Sequence, residues 1–282
     1  MAECKILIIM PAHNEAENLP YVFEELNHAF ERLRPTLPQI DVVVIDDYSS
    51  DETAAVAARL GATVVRLPCN LGYGGAVQTG FKYAVQYGYD YGVMMDADGQ
   101  HDPACIPDLL APVLAGEVDV AIGSRFLPVG GLAAQASDAG GWVRTAAYKT
   151  TWAKRLGMIL FAKIVAHFSH RPVTDPTSGF QAMNSDLLAF FARDNYPSDY
   201  PDADTLLLLN YAGFRVAEVP VCMRERLAGV SMHTSWRIFY YIFKMLLSIF
   251  VVLLRQKTNG NARRRRSAAR AAKASHKELA DS

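Results

Sequence analysis

The chain has 282 residues, 51% of them apolar and 20% charged, with a formal net charge of −1. That suits one α/β domain with an appendage and excludes a chain disordered throughout. The charge is uneven: Thr258 to Ser282 holds seven Lys/Arg against two Asp/Glu, leaving 21 against 27 elsewhere, so the acidic body is a poor nucleic-acid binder and the basic tail suits anionic lipid.

Lys5–Met10 reads as a buried strand; it is too short for a signal-peptide core, which places the body in the cytoplasm. Asn14 is expected to cap a helix whose apolar positions, Leu19, Val22, Phe23, Leu26, Phe30 and Leu33, share one face. Val42–Ile45 is a second strand. Ser49, Ser50 and Asp51 open a second helix that Gly61 ends, and Thr63–Leu67 is a third strand. A Gly-rich turn leads into a helix ending near Tyr87, then strand Gly92–Met95, helix Pro103–Leu114 and strand Asp119–Ile122. Short apolar strands separated by helices predict an α/β fold with a mainly parallel sheet covered on both faces, which binds ligands at the carboxyl ends of its strands.

Beyond this the pattern loosens. Pro128–Gly141, rich in Gly, Ala and Ser, predicts a loop; Tyr148–Phe168 predicts an amphipathic helix and Phe214–Val219 a late strand. Ile238–Leu254 is apolar apart from Lys244 and Ser248, with Trp236, Tyr240 and Tyr241 near one end. At about 17 residues it sits at the lower limit for crossing a bilayer, and a crossing would export the Arg263–Arg266 run against the positive-inside tendency. The expectation is a helix lying in the interface on the cytoplasmic face of the membrane, with the basic tail beside it. A buried helix at a homo-oligomer interface is the competing expectation. The expected divisions are a catalytic domain over 1–233, a membrane-associated helix over 234–257 and a basic tail over 258–282.

Three polar clusters fall at predicted strand ends. In Asp46–Asp47–Tyr48–Ser49–Ser50–Asp51, helix capping accounts for Ser50 or Asp51; the adjacent Asp46 and Asp47 repel unless a ligand or donor faces them, and a carboxylate there suits a nucleotide base or ribose. In Asp96–Ala97–Asp98–Gly99–Gln100–His101–Asp102–Pro103, carboxylates at i and i+2 can grip a hard divalent cation that neutralises a diphosphate, while Asp102–Pro103 also reads as a cap and first turn. Asn70–Leu71–Gly72–Tyr73–Gly74–Gly75 lets backbone approach an anion at a helix start, without the Lys-Ser/Thr ending of a P-loop. Cys4, Cys69, Cys105 and Cys222 form no CxxC pair or Cys/His cluster, which argues for reduced core thiols and against zinc.

In order, Pro11–Ala12–His13–Asn14–Glu15, Asp46–Asp47–x–Ser49–x–Asp51, Asn70–x–Gly72–x–Gly74, Asp96–x–Asp98–Gly99–Gln100 and Gly123–Ser124–Arg125 resemble glycosyltransferase family 2. Asp175–Pro176–Thr177–Ser178–Gly179–Phe180 and Arg226–Leu227–Ala228–Gly229–Val230–Ser231 are similar to its subgroup of dolichyl-phosphate mannose synthase and bacterial polyprenyl-phosphate glycosyltransferases. The resemblance implies a GT-A, Rossmann-like nucleotide-binding fold. It also implies an inverting, metal-dependent transfer from a nucleotide-diphosphate sugar to polyprenyl phosphate or another lipid-linked acceptor. By motif position, Asp46 or Asp47 meets the nucleoside, with Pro11, His13 and Glu15 lining the pocket and Gly72 and Gly74 approaching the donor. Asp96 and Asp98 hold Mg²⁺ or Mn²⁺ and the diphosphate, with Gln100 beside the metal. Arg125 and Arg226 aim at phosphate oxygens, a task that suits a guanidinium. Asp175, Ser178, Ser231 and His233 fall on the acceptor side.

One departure stands out. Lys often follows Arg-x-x-Gly-x-Ser in such enzymes; this chain has Met232 and then His233. A polyprenyl phosphate is already an anion and needs no strong base. A glycan hydroxyl on a lipid-linked acceptor, as in surface polysaccharide synthesis, would need one, for which Asp202 and Asp204 are the candidates. Sugar-nucleotide synthesis is disfavoured because the early Gly-rich loop is missing, and a non-catalytic membrane scaffold because Asp96, Asp98 and Arg226 are kept.

Overall fold

In the computed structural model, which describes residues 4–33, 39–128, 173–193, 196, 203–224, 247–249 and 251, the first apolar run forms β1 (Lys5–Ala12). Its side chains alternate between two cores: Ile6, Ile8 and Met10 on one face of the sheet, Leu7 and Ile9 on the other. A strand buried on both faces needs an unbroken apolar run, which is why this one was legible. Pro11 sits beyond the end of the β4 pairing, where its missing N–H costs no ladder bond on that side.

The chain continues through α1 (Leu19–Leu33), β2 (Gln39–Asp46), α2 (Thr53–Arg59), β3 (Thr63–Arg66), α3 (Gly72–Gln86) and β4 (Tyr91–Met94). A 3₁₀ turn at Pro103–Cys105 leads into α4 (Ile106–Leu114), then β5 (Val120–Ser124). After the residues not described come β6 (Gln181–Asn184), α5 (Ser185–Phe191), α6 (Ala203–Ala212) and β7 (Val216–Pro220). The seven strands run in the order β3-β2-β1-β4-β6-β5-β7. All ladders are parallel except the two made by β6, so the sheet is mainly parallel, as expected. α1 and α4 cover one face and α3, α5 and α6 the other.

The antiparallel β6 has a consequence for the site. Its first residue, Gln181, lies at the edge where β4 and β5 end, pairing with both Met94 and Ile122. The segment before it, residues 175–180, is therefore delivered to the same edge as the segments that follow β1 to β5. Residues 221–224, after β7, arrive there too, and His101 bridges to Met223.

Several local expectations change. Asn14 does not cap α1, which starts at Leu19; it stands in the left-handed region at φ 57°, and its Oδ1 accepts from Ser50 N (2.8 Å) and Ser50 Oγ. The helix expected from Pro103 begins as a 3₁₀ turn, with Asp102 Oδ1 accepting from Ala104 N at 2.9 Å, so the expected Asp102–Pro103 cap holds. Of the cysteines, Cys105 and Cys222 are buried, Cys4 half-buried and Cys69 exposed, so not all are core residues. The 129–172 stretch, with its expected loop and amphipathic helix, and the tail from 258 lie outside the described residues. Of Ile238–Leu254 only 247–249 and 251 are described, as helix: Ile249 is buried and Leu247 and Val251 are exposed. No helix among the described residues is long and apolar enough to cross a membrane.

Candidate functional site at the carboxyl edge of the sheet

At the ends of β1 and β2 the polar residues lock together. His13 Nδ1 donates to Asp47 O at 2.8 Å, and Asn70 Nδ2 reaches the same carbonyl at 3.3 Å. The Asp47 carboxylate accepts from Leu71 N (2.7 Å) and Gly72 N (2.9 Å), one N–H on each oxygen. Gly72 holds φ +78°, a conformation that a Cβ would strain, while offering that N–H. Asp47 thus anchors the start of α3 from another strand. Asp46 is fully buried: Oδ1 accepts from Ser49 N at 3.0 Å, and Oδ2 faces Arg66 Nε at 3.2 Å. That charge contact is not aligned as a hydrogen bond, and Asp46 Oδ2 accepts none among the described residues. The two adjacent charges are therefore met by donors within the chain and by the Arg66 guanidinium.

Glu15, read as a pocket residue, is buried, with Oε2 accepting from Asn18 Nδ2 at 2.6 Å and its N–H donating to Thr53 Oγ1. Pro11 is buried and Gly74 lies buried in the first turn of α3.

After β4, Asp96 and Asp98 stand half-buried. Asp96 Oδ1 accepts from Tyr73 Oη at 2.9 Å, and Asp98 Oδ1 from Gln100 N at 3.0 Å. His101 is buried and stacks on Phe180, centroids 4.8 Å apart and rings 7° from parallel. Burial pulls its pKa down to about 4; the Arg125 charge works in the same direction, while Asp98 and Asp175 oppose it. His101 is therefore neutral at physiological pH. Its Nδ1 accepts from Asp96 N at 3.0 Å, which leaves the ring proton on Nε2, 3.7 Å from Asp96 Oδ2. Arg224 braces the same loop: its N donates to Gln100 O (3.0 Å), its Nε to Gly99 O (2.6 Å), its Nη1 to Tyr21 Oη, and its guanidinium lies 4.3 Å over the Tyr21 ring.

The carboxylates after β4 suit a hard divalent cation by their chemistry. Gly179 packs beside them: a Cβ there would lie in ordinary contact with Asp96 Oδ2 and Oδ1, at 3.6 and 3.8 Å, and would crowd Tyr73 Oη at 2.9 Å. A second group lies together behind the loop: ligand atoms of Asp102, Cys105 and Cys222 fall within 4.8 Å of one another, a cluster that residues so far apart in sequence hid. It suits a metal less well. The side-chain bond with Cys222, and then burial, hold the Cys105 thiol well above its usual value, so it stays protonated.

After β5, Arg125 meets Asp175 in a two-pronged ion pair, Nε to Oδ2 and Nη2 to Oδ1 both at 2.6 Å, with its backbone N on Oδ2 at 3.1 Å and Nη2 on Thr177 Oγ1 at 2.8 Å. Asp175 is fully buried. Its own N–H donates to Glu218 Oε1 at 2.7 Å, and Glu218 also takes the Thr174 N–H. Ser178 is buried, its Oγ accepting from Phe180 N. So a residue read on the donor side and one read on the acceptor side are bonded to each other. Asp204 is buried with Oδ1 on Thr205 N and Oδ2 taking the Ser248 hydroxyl. Asp202, Arg226, Ser231 and His233 lie outside the described residues. Sequence reasoning missed Tyr73, Arg224 and Glu218; only Tyr73 stood inside a motif that had been singled out.

The chain matches the family model of glycosyl transferase family 2 over residues 7–167. It is 32% identical over 251 residues to polyprenol monophosphomannose synthase from Mycolicibacterium smegmatis, covering 86% of this chain and 85% of that protein. It is 32% identical over 234 residues to undecaprenyl-phosphate mannosyltransferase from Micrococcus luteus, covering 80% and 86%. Among solved structures, glucosyl-3-phosphoglycerate synthase from Mycobacterium tuberculosis, in complex with Mn²⁺ and uridine-diphosphate-glucose, matches with a TM-score of 0.61 at 18% identity over 89% of this chain and 79% of that one. Mannosyl-3-phosphoglycerate synthase from Rubrobacter xylanophilus matches with a TM-score of 0.58 at 20% identity, covering 90% and 75%. At such identities the likeness is one of fold, and the fold is the α/β GT-A fold with a mostly parallel, mixed sheet.

Proposed function

This chain belongs to glycosyl transferase family 2, and we propose on that footing that it moves a sugar, with inversion, from a nucleotide-diphosphate sugar to a polyprenyl phosphate at a membrane surface. The observation that carries this is the 32% identity, over most of both chains, to proteins named polyprenol monophosphomannose synthase and undecaprenyl-phosphate mannosyltransferase. The convergence of the polar segments on one sheet edge supports it.

By motif position Asp46 and Asp47 lie at the nucleoside end of the donor; Asp46 is sealed from solvent and ion-paired with Arg66, so it orders the turn through Ser49 N while Asp47 stands nearer the donor. Asp47, His13, Asn70 and the turn at Gly72 and Gly74 form the wall beside it, with Pro11 and Glu15 behind. Asp96 and Asp98 would hold Mg²⁺ or Mn²⁺, with Gln100 adjacent. The ion, when bound, supplies Lewis-acid neutralisation of the diphosphate leaving group. Arg125, fixed by Asp175, presents positive charge to that side of the site, joined by Arg226; Asp175, Ser178, Ser231 and His233 shape the acceptor side. The acceptor phosphate arrives ionised, so positioning and charge stabilisation do most of the catalysis. Transfer to a glycan hydroxyl would ask Asp202 or Asp204 to take a proton. Both Asp204 oxygens already accept from Thr205 and Ser248, which favours the acceptor that needs no base. Residues 1–233 act as the catalytic domain, 234–257 as an interfacial helix and 258–282 as a basic tail on the cytoplasmic face.

The test is to incubate purified protein with Mn²⁺, a panel of UDP-, GDP- and dTDP-sugars, and either undecaprenyl phosphate or undecaprenol. One donor should release nucleoside diphosphate and deliver labelled sugar to the organic phase with the phosphate but not with the alcohol. Release indifferent to the lipid, or transfer to the alcohol, would contradict the proposed acceptor.

A further inference from the structure

Three segments far apart in sequence meet at one hydroxyl. Tyr73, in the first turn of α3, donates its Oη–H to Asp96 Oδ1 at 2.9 Å. Gly179, just before β6, faces the same point: a Cβ there would come within 2.9 Å of Tyr73 Oη, closer than real contacts allow. The backbone at 179 is thus held against both the phenol and the Asp96 carboxylate, and the absence of a side chain lets the bond form. On the other side His101 takes the Asp96 N–H, and its ring is fixed by stacking on Phe180, the residue after Gly179. The carboxylate is held by its phenol partner, and the backbone carrying it by the imidazole.

We infer that Tyr73 is a positioning residue for the metal: its hydroxyl fixes the Asp96 carboxylate in the orientation that receives a divalent cation, and Gly179 keeps the clearance this bond requires. This rests on the proposed function, in which Asp96 is a metal ligand. A carboxylate fixed by a neutral donor keeps its charge for the cation while losing rotational freedom. Outer partners of this kind typically govern metal affinity by about 10–100-fold. A phenol also orients without competing, because it brings no charge of its own. The contact explains why a Tyr in the Gly-rich turn, Asp96 and a Gly before β6 belong to one constellation although their chain separations hide it.

The experiment is Mn²⁺ binding, read from the electron paramagnetic resonance of the free ion, with the full chain, alone and with UDP or GDP. The variants are Tyr73→Phe and Gly179→Ala, and Tyr87→Phe serves as control, an exposed tyrosine at the far end of the same helix. Tyr73→Phe should weaken Mn²⁺ binding about tenfold while metal-free nucleoside diphosphate affinity stays put. Gly179→Ala, which keeps the hydroxyl but pushes on it, should shift it in the same direction. Tyr87→Phe should match the wild type. Because Gly179→Ala leaves Tyr73 intact, it carries the test if Tyr73→Phe fails to fold. Wild-type Mn²⁺ affinity in both variants would overturn the inference alone; no Mn²⁺ binding by the wild type would overturn the metal-binding proposal, and this inference with it.

Discussion

On the β3-β2-β1-β4 side of the sheet, the carboxylates after the strands are met chiefly by backbone N–H groups: Asp46 by Ser49, Asp47 by Leu71 and Gly72, Asp98 by Gln100. On the β6-β5-β7 side they are met by side chains and each other's loops: Arg125 forks onto Asp175, and Glu218 holds the Thr174–Asp175 backbone. The first arrangement pins the loops from within, with Asp46 and Asp47 buried and Asp98 half-buried. The second is a closed brace in which a buried acid and a mostly buried base depend on one another. A donor site built from fixed backbone dipoles needs little reorganisation, whereas the Arg125 charge is already answered by Asp175 and turning it toward a ligand loosens that pair.

The sharpest way to break this contrast is Asp175→Ala. It leaves the Arg125 side chain, 13% exposed, without its counter-charge, and should cost about 4 kcal/mol in urea unfolding; a cost below that of the backbone-capped acids would remove the distinction. Next in size is a pH effect. In the unfolded chain His101 takes a proton near 6.5, in the fold only near about 4. Between those values the unfolded state binds more protons, so stability falls on acidification. About 3 kcal/mol, fully present above pH 6.5, should be lost by pH 4 in chelator-treated protein. His101→Gln should flatten that part of the stability profile. Asp47→Ala should cost about 1–2 kcal/mol, since water can replace part of what the cap supplied to Leu71 and Gly72. Asp47→Asn should recover about half, read from the same denaturation curves. Smallest is Tyr48, exposed and held at φ 58°. Tyr48→Gly should raise stability by about 0.5 kcal/mol, the relief of the left-handed conformation less the entropy that glycine adds to the unfolded chain. A loss in its melting temperature would mean that the ring packs against something that matters.

How far the sequence reached follows from what was local. β1 and β4 were legible because strands buried on both faces need apolar runs, β2 and β3 because short apolar stretches stand between helix signals, and the edge at which motifs gather followed from a parallel sheet. β6 was not foreseen: Gln181–Asn184 is four residues, polar at both ends, and its antiparallel sense is fixed by partners on β4 and β5. Asn14 looked like a cap because residue type alone carries that signal; its side chain is bonded to Ser50, on a segment 36 residues away. The Asp46–Asp47 pair called for a ligand or a donor, and which of the two was hidden because the donors that satisfy Asp47 lie 24 and 25 residues downstream. The Arg125–Asp175 pair, 50 residues apart, was invisible for the same reason. Motif reading found the segments; which side chains spend their bonds on each other emerged only in three dimensions.

On the proposed function, the carboxylates after β4, not the thiol-bearing cluster behind them, receive the metal of a bound nucleotide donor. The most direct measurement is anomalous diffraction at the manganese edge from crystals grown with Mn²⁺ and a nucleoside diphosphate. The predicted result is one peak in direct contact with Asp96 and Asp98 oxygens, with the diphosphate beside it. A peak at Asp102, Cys105 and Cys222, or a diphosphate seated at this edge without any metal, would contradict it.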